Sequence, residues 1–396
     1  MRGLYLFAVG VPIGLYSLWI GPKAIMISML SIVHVYKDYW PVVGGIENHI
    51  KDLAEAEAAL GHEVTVLVTN PGGRPSRETI NGVQIIRAGR LATVASTPLS
   101  LTLPFLLSRL RPDVSHLHFP YPLGELSQWL LRRKRPYVIT YHSDVVKQQR
   151  ILRLYNPLLR RVLAEAAGIL VASPNYVQSS PYLRPLSAKC TIVPFAVDVE
   201  RFAGAEPLFA RDGRFTLLFL GRHRYYKGGD DLIRAVAQLP AKLPVRLLVG
   251  GDGPLRREWG QLSHSLGMQE KIQFVGELSE ADLPKFYASG DLFVLPANSR
   301  AEAFGKVLQE AMAAGLPCLT TELGTGTSFV VQDGVTGRVV PPQQPKVLAE
   351  AIELLTTQPE LCQQMGQAGQ ARARQEFSLQ QMVEKVLGVY TAVSNH

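Results

Sequence analysis

Two glutamates eight residues apart, Glu302 and Glu310, stand in the stretch that runs from Asn298 to Pro317. Between them, Phe304-Gly305 marks the start of a Leu-, Met- and Ala-rich run that Gly315 and Pro317 end. The first amides of a helix lack partners within it, and the helix dipole adds partial positive charge there. An anion can therefore be held at Phe304 and Gly305 while hydroxyl groups meet the carboxylates. Two cations, Arg222 and Lys227, lie in a glycine loop from Gly221 to Gly229, and small-residue backbones recur at Gly250-Gly-Asp-Gly-Pro254 and Gly324-Thr-Gly-Thr327. Together these groups can neutralise a diphosphate without a metal ion. No Asp-x-Asp pair stands at a strand end, so neither a metal nor a cofactor is expected.

These residues need strands and helices to hold them. The apolar run 291–295 predicts a buried strand, and 304–314 predicts the helix after it, which places the intervening loop at the carboxyl edge of an open α/β sheet. The same alternation recurs along the chain. Strands are expected at 30–36, 63–69, 83–87, 114–118, 137–141, 169–172, 191–193, 215–220, 245–249, 271–275 and 318–321, with a hairpin turn at Asn81-Gly82. Such a rhythm implies parallel sheets, because parallel neighbours require crossover connections. Residues 194–212 lack periodicity and contain Pro194, Gly204 and Pro207, so a linker is placed there. The expected organisation is an α/β chain of two Rossmann-like, doubly wound parallel-sheet domains, 26–196 and 197–376. A last helix, about 377–396, is free to cross back to the first.

Length and composition agree with this. At 396 residues, 47% of them hydrophobic, the chain suits two cores rather than one. The net charge of +8 favours acidic partners such as nucleotides, phospholipid surfaces or nucleic acid, without choosing among them. Nine Lys or Arg residues fall within 132–161 against one acid, Asp144, and leucines interleave with them, which reads either as a solvated helix surface or as a segment that contacts an anionic membrane or a lipid diphosphate. Asn156-Pro157 is expected to break any single helix there. Cys190, Cys318 and Cys362 are too widely spaced for a disulfide framework or a zinc site, and a reducing cytosol fits. Residues 4–20 carry no charge and read either as a membrane anchor, weakened by Gly10, Pro12 and Gly14, or as sequence upstream of a start at Met26.

The combination of Gly221-Arg222 with Lys227-Gly228, Glu302-x7-Glu310 with Phe304-Gly305, Gly250-Gly-Asp-Gly-Pro254 and Gly44-Gly45-x-Glu47 resembles the retaining glycosyltransferases of family 4, which have the GT-B fold. The resemblance runs from about Leu30 to the carboxyl terminus. It implies a cleft between the domains and transfer of a sugar from a nucleoside diphosphate sugar to an acceptor hydroxyl. By the same resemblance, Glu302 binds donor-sugar hydroxyls and Glu310 the ribose hydroxyls, Arg222 and Lys227 hold the diphosphate, and Phe304 and Gly305 contact the donor through their amides. Gly44 and Gly45 approach from the opposite domain, and Gly251 belongs to the donor side. His142, in Thr140-Tyr-His-Ser-Asp144, matches the histidine presented to the donor sugar, so His142 and Glu302 are the catalytic candidates. His116 and His118, on the previous strand with His118 at its expected exposed end, are rivals to His142, and His118 with Ser173 is a candidate for the acceptor side. Ala196 stands where the family usually has glycine between the domains. The implied acceptor is a lipid-linked or saccharide hydroxyl in surface polysaccharide or glycolipid synthesis, on the cytoplasmic side and without nucleic acid as a partner. A nucleotide-sugar epimerase and a noncatalytic nucleotide-sugar-binding protein are the alternatives.

Overall fold

The computed structural model describes residues 29–42, 44–94, 97–131, 135–145 and 149–394, with the side chains of 149–154 outside that description. The apolar segment 1–25 and much of the basic run 132–153 therefore lie outside the described residues.

The strands are β1 (Ser31–Val35), β2 (Glu63–Asn70), β3 (Ser76–Ile80), β4 (Val83–Gly89), β5 (Ala92–Val94), β6 (Thr97–Leu99), β7 (Val114–Phe119), β8 (Tyr137–Tyr141), β9 (Gly168–Val171), β10 (Cys190–Ile192), β11 (Phe215–Leu220), β12 (Val245–Gly250), β13 (Ile272–Gly276), β14 (Leu292–Leu295), β15 (Cys318–Thr321) and β16 (Gly337–Val340). Among the described residues they form an eight-stranded sheet in the order β10-β9-β8-β7-β1-β2-β4-β3, a six-stranded sheet in the order β13-β12-β11-β14-β15-β16, and the small hairpin β5-β6. All pairings in the two large sheets are parallel except β3 with β4. That exception turns at Asn81 (φ 50°) and Gly82 (φ 81°), the left-handed pair a two-residue hairpin demands. Strands such as β8, β14 and β15 are buried at every position, as expected when helices cover both faces of a sheet.

Strand order reverses direction twice. Chain progress from β1 goes to β2 on one side and returns to β7 on the other, and in the second sheet it passes from β11 outward to β13 before returning to β14. Each reversal leaves a crevice at the carboxyl edge, where the two connecting loops diverge. The first core runs from Leu30 to Ala196 and adds Met382, Val383, Val386, Leu387, Tyr390 and Val393 from the helix Leu379–Ser394. The second takes Ala172 and residues from Val197 to Phe377.

Two local expectations change. The helix after β14 begins at Lys306 rather than Phe304, because Gly305 takes a left-handed conformation (φ 84°) and turns the chain into the helix. Asn156-Pro157 does not break its helix: Gln149–Glu165 is continuous with Pro157 inside it. Pro157 itself is exposed, and it leaves one carbonyl of the preceding turn without its helical donor. Among the described residues, no helix is long and apolar enough to cross a membrane.

Candidate functional site

The crevice of the second sheet brings together the loops after β11 and β14. Lys227 Nζ, from the first, lies 2.7 Å from Glu302 Oε2, from the second. The loops are held at that spacing by backbone: Asn298 N donates to Tyr226 O at 3.0 Å, and Gly228 is left-handed (φ 67°) with its Cα so close to Pro296 that a Cβ would sit 1.9 Å from the carbonyl oxygen. Only glycine fits there. Burial opposes the charge on Lys227, but Glu302, and after it Tyr226, more than offset this and lift its pKa above the ordinary lysine value. The lysine is thus a fixed cation at the crevice.

Around this pair the remaining candidates fall into distinct environments. Arg222 is exposed and makes no hydrogen bond or ion pair among the described residues. Glu310 is half-buried and accepts a 2.8 Å hydrogen bond from the Tyr287 hydroxyl through Oε2, leaving Oε1 for another donor. Burial pushes its pKa up, with Lys306 and the Tyr287 hydroxyl opposing. Among the described residues the amides of Phe304 and Gly305 meet no acceptor. Their loop is fixed from behind, where Gly326 N donates to Ala303 O at 2.8 Å and Thr325 Oγ1 to Glu302 O at 2.8 Å.

The glycines separate into two kinds. A Cβ on Gly251 (φ 96°) would sit 2.2 Å from Gly221 O, so packing between the two loops accounts for this glycine without any ligand. The Glu47 carboxylate likewise occupies the space beside Gly44, 2.2 Å from where a Cβ would be. Gly45 differs: a Cβ there would meet nothing within 4 Å. Of the two, only Gly45 faces open space at the start of its helix, Gly45–Ala59.

The first sheet contributes histidines. His142 follows β8, is buried, and has no partner for Nδ1. Burial pushes its pKa down to about 3, so it is neutral. His118 is not at an exposed strand end, as expected from sequence, but fully buried behind His142, with its Nδ1 3.1 Å from His142 Nε2. All six residues of β7 are buried, because the sheet continues past it on both sides. Ser173 is also buried and accepts from Tyr176 N at 3.2 Å, capping the helix Pro174–Ser179. Sequence reading missed His49, whose ring lies 5.4 Å from that of His142 and whose two nitrogens have no partner. Its signal was available: it is two residues beyond Glu47 on the helix that follows the glycine turn.

The crevices of the two sheets meet at Phe195. Its ring lies 4.8 Å from that of His49, 5.5 Å from His142 and 4.9 Å from Phe304, and its carbonyl accepts from Gln309 Nε2 at 2.7 Å. Ion pairs cross alongside: Arg300 with Asp144 at 3.1 Å and Lys306 with Asp52 at 3.6 Å. The arrangement therefore holds one fixed cation, two carboxylates, free amides and an unmet imidazole nitrogen around a junction between two domains. It can bind a phosphorylated, hydroxyl-rich molecule and support charge on a departing phosphate.

Comparison with known proteins agrees. Residues 43–201 match the pattern described as Glycosyltransferase Family 4, and residues 204–372 match that of Glycosyl transferases group 1. The chain is 33% identical to the O-antigen chain mannosyltransferase C of Escherichia coli over 374 residues, 92% of this chain and 99% of the relative. It is also 33% identical to the D-rhamnosyltransferase WbpZ of Pseudomonas aeruginosa over 357 residues, 88% and 92% of the two chains. In fold it is similar to the sucrose-phosphate synthase from Thermosynechococcus elongatus, with a TM-score of 0.76 at 23% identity over 91% of this chain and 98% of that one. With these matches spanning both domains and both crevices, the chain belongs to family 4 of the glycosyltransferases, retaining enzymes of GT-B fold that use nucleotide-sugar donors.

Proposed function

We propose that this enzyme transfers a hexose from a nucleoside diphosphate sugar to a hydroxyl of a lipid-linked saccharide during surface polysaccharide or glycolipid synthesis. The observation that carries the reading is the Lys227–Glu302 pair at the crevice of the second sheet, 2.7 Å apart and nearly buried. Bound diphosphate takes Lys227 and Arg222 as counter-charges, with the amides of Phe304 and Gly305 as further donors. Glu302 then accepts from sugar hydroxyls and Glu310, through its free oxygen, from the ribose.

As the bond between sugar and diphosphate breaks, negative charge grows on the departing phosphate. Fixed donors aimed at such charge are commonly the largest contribution to catalysis. Among the described residues, Glu302 is paired with Lys227 and so is not free to form a covalent glycosyl intermediate on the opposite face. The departing phosphate is the base that takes the proton of the acceptor hydroxyl, and retention follows from attack on the same face. His142 and Gly45, from the first domain, bound the sugar from the other side. The acceptor lies against the first domain, and closure of the junction limits hydrolysis.

The first domain also carries an apolar surface suited to a lipid acceptor. Leu101, at the N-cap of the helix Thr102–Arg109, and Phe105 within it are exposed, as are Leu130 and Leu131 at the end of the neighbouring helix Pro122–Leu131, directly before the basic run that begins at Arg132. Peripheral contact with an anionic membrane through this face and residues 132–161 fits that chemistry. The two relatives named above transfer mannose and rhamnose by their names, which favours a 6-carbon sugar of that kind here.

The donor is tested by thermal denaturation with UDP-, GDP-, ADP- and dTDP-sugars. A ligand at 100 times its dissociation constant adds about 2.7 kcal/mol of stability. The expected result is a shift with one base only, lost in a Lys227→Ala, Glu302→Gln double variant. Nucleoside diphosphate release no faster from the enzyme than from that variant would overturn the reading.

A further inference from the structure

Beneath His142 the side chains form a line. Glu57 Oε2 lies 2.7 Å from His34 Nε2, His34 Nδ1 lies 3.1 Å from His118 Nε2, and His118 Nδ1 lies 3.1 Å from His142 Nε2. All four residues are buried, and the line ends at His142 Nδ1, which has no partner. Glu57 comes from the helix Gly45–Ala59, His34 from β1, His118 from β7, and His142 from the end of β8, so the line runs across the crevice of the first sheet.

A neutral imidazole has one N–H and one lone pair. Imidazoles joined end to end therefore have only two consistent proton arrangements, one the reverse of the other, and whatever stands at the closed end selects between them. Here that end is a carboxylate, which only accepts. His34 must then carry its proton on Nε2, His118 on Nε2, and His142 on Nε2. Burial disfavours the charged forms of His118 and His142, which keeps the two rings neutral. His116 stands beside the line rather than in it: its nitrogens are engaged by the Tyr390 hydroxyl and Thr140 Oγ1, each at 2.6 Å. The other rings packed on His142 are His49, Tyr36 and Phe195, none of them anionic.

We propose that Glu57 is a positioning residue: through His34 and His118 it holds His142 in the Nε2–H tautomer, so that His142 offers a lone pair at Nδ1 to a substrate hydroxyl. The sequence placed His142 at the sugar but assigned no partner to it, and Glu57 lies about 85 residues away along the chain. The inference rests on the reading of His142 as a residue of the donor site, but the tautomer itself is measured without substrate.

Long-range 15N–1H correlation spectra of the full-length protein labelled at its nine histidines, with His142 assigned from a His142→Gln variant, report which nitrogen carries each proton. The expected spectrum shows His142 protonated on Nε2 only. Glu57→Leu should give mixed tautomers at His142 and a kcat about tenfold lower with little change in KM, as for loss of one hydrogen bond of correct polarity. Glu57→Gln, which keeps an accepting oxygen, should restore the larger part of both. A wild-type His142 protonated on Nδ1 overturns the proposal whatever the variants do, as does a folded Glu57→Leu protein with the wild-type tautomer. A donor response in thermal denaturation that survives either outcome leaves the donor site itself standing.

Discussion

Lys227 Nζ and Glu302 Oε2 lie 2.7 Å apart with each side chain only about one-tenth exposed, at 11% and 10%. Removing one partner of a buried pair strands the other charge, at a cost of about 3–5 kcal/mol, whereas replacing both by apolar residues is often close to neutral. Lys227→Met and Glu302→Leu should each lower the melting temperature clearly, and the double variant should recover most of the loss. Turnover should not recover: each single variant and the double should lose about 100-fold or more in kcat, as when a donor to developing charge is removed. Denaturation and steady-state kinetics on the same four proteins check both halves.

Glu310 carries a penalty that its ligand relieves. Burial raises its pKa, so its ionised form opposes folding at neutral pH when no ribose is bound. Glu310→Gln should therefore leave the free protein as stable as the parent or more so. It should also weaken nucleotide binding about 10- to 100-fold, the value of a hydrogen bond to a charged group. Calorimetric titration with the nucleoside diphosphate measures the second effect, and denaturation the first.

Glu125 sets a pH dependence within the first domain. It accepts from Tyr121 N at 2.7 Å and from the Tyr155 hydroxyl, and burial pushes its pKa from 4.5 up to about 8. Between these values the folded state holds a proton that the unfolded state has lost. Stability is therefore greatest below the lower value and falls as pH rises through the window, by up to about 1.4 kcal/mol per pH unit. Glu125→Gln should abolish that slope, so the variant should gain on the parent between pH 5 and pH 8 in urea denaturation.

Arg300 acts as a latch between the domains. It pairs with Asp144 at 3.1 Å and reaches the carbonyls of Leu323 and Gly324 at 3.4 and 3.3 Å. Because the guanidinium is one-third exposed, screening limits the pair to about 1 kcal/mol. Arg300→Ala should accordingly leave the melting temperature nearly unchanged and lower the closed fraction about fivefold. Small-angle scattering should show a larger radius of gyration, and donor hydrolysis without acceptor should rise.

Leu130 and Leu131, 60% and 52% exposed beside a basic run, test the membrane face. A Leu130→Asp, Leu131→Asp variant should sediment with vesicles containing anionic lipid at least tenfold less than the parent, since each buried methylene contributes about 0.8 kcal/mol. Its turnover on a short, soluble acceptor should be unchanged. Equal sedimentation of the two proteins would remove this face from the reading.

The repeated strand-loop-helix order was legible because parallel strands buried on both faces leave continuous apolar runs, as in Phe215–Leu220 and Leu292–Leu295. Lys227 and Glu302 could be singled out because their loops each follow such a run. What the chain did not display was adjacency set by strand order. His34 and His118 touch only because β1 lies beside β7 in the sheet, and Glu57 joins them from a helix above. Nor could composition tell a glycine kept for a ligand from one kept for a neighbouring loop. Gly251 is explained by the Gly221 backbone, whereas Gly44 meets only the movable end of the Glu47 side chain and Gly45 meets nothing. Pro157 misled because a proline inside a helix removes one hydrogen bond and need not end the helix when the rest of it holds.

The helix Leu379–Ser394 places Tyr390 against His116, 274 residues earlier, inside the core of the first sheet. During synthesis, the ribosome makes every strand of that sheet well before the helix that completes its core. The second domain, which is contiguous in sequence, can close on itself as it emerges, while the first must wait with an apolar seam uncovered until the helix Leu379–Ser394 has been made. That helix thus decides when the first domain becomes whole, and a nascent chain stalled before Tyr390 would present that seam to chaperones rather than a finished histidine cluster to substrate.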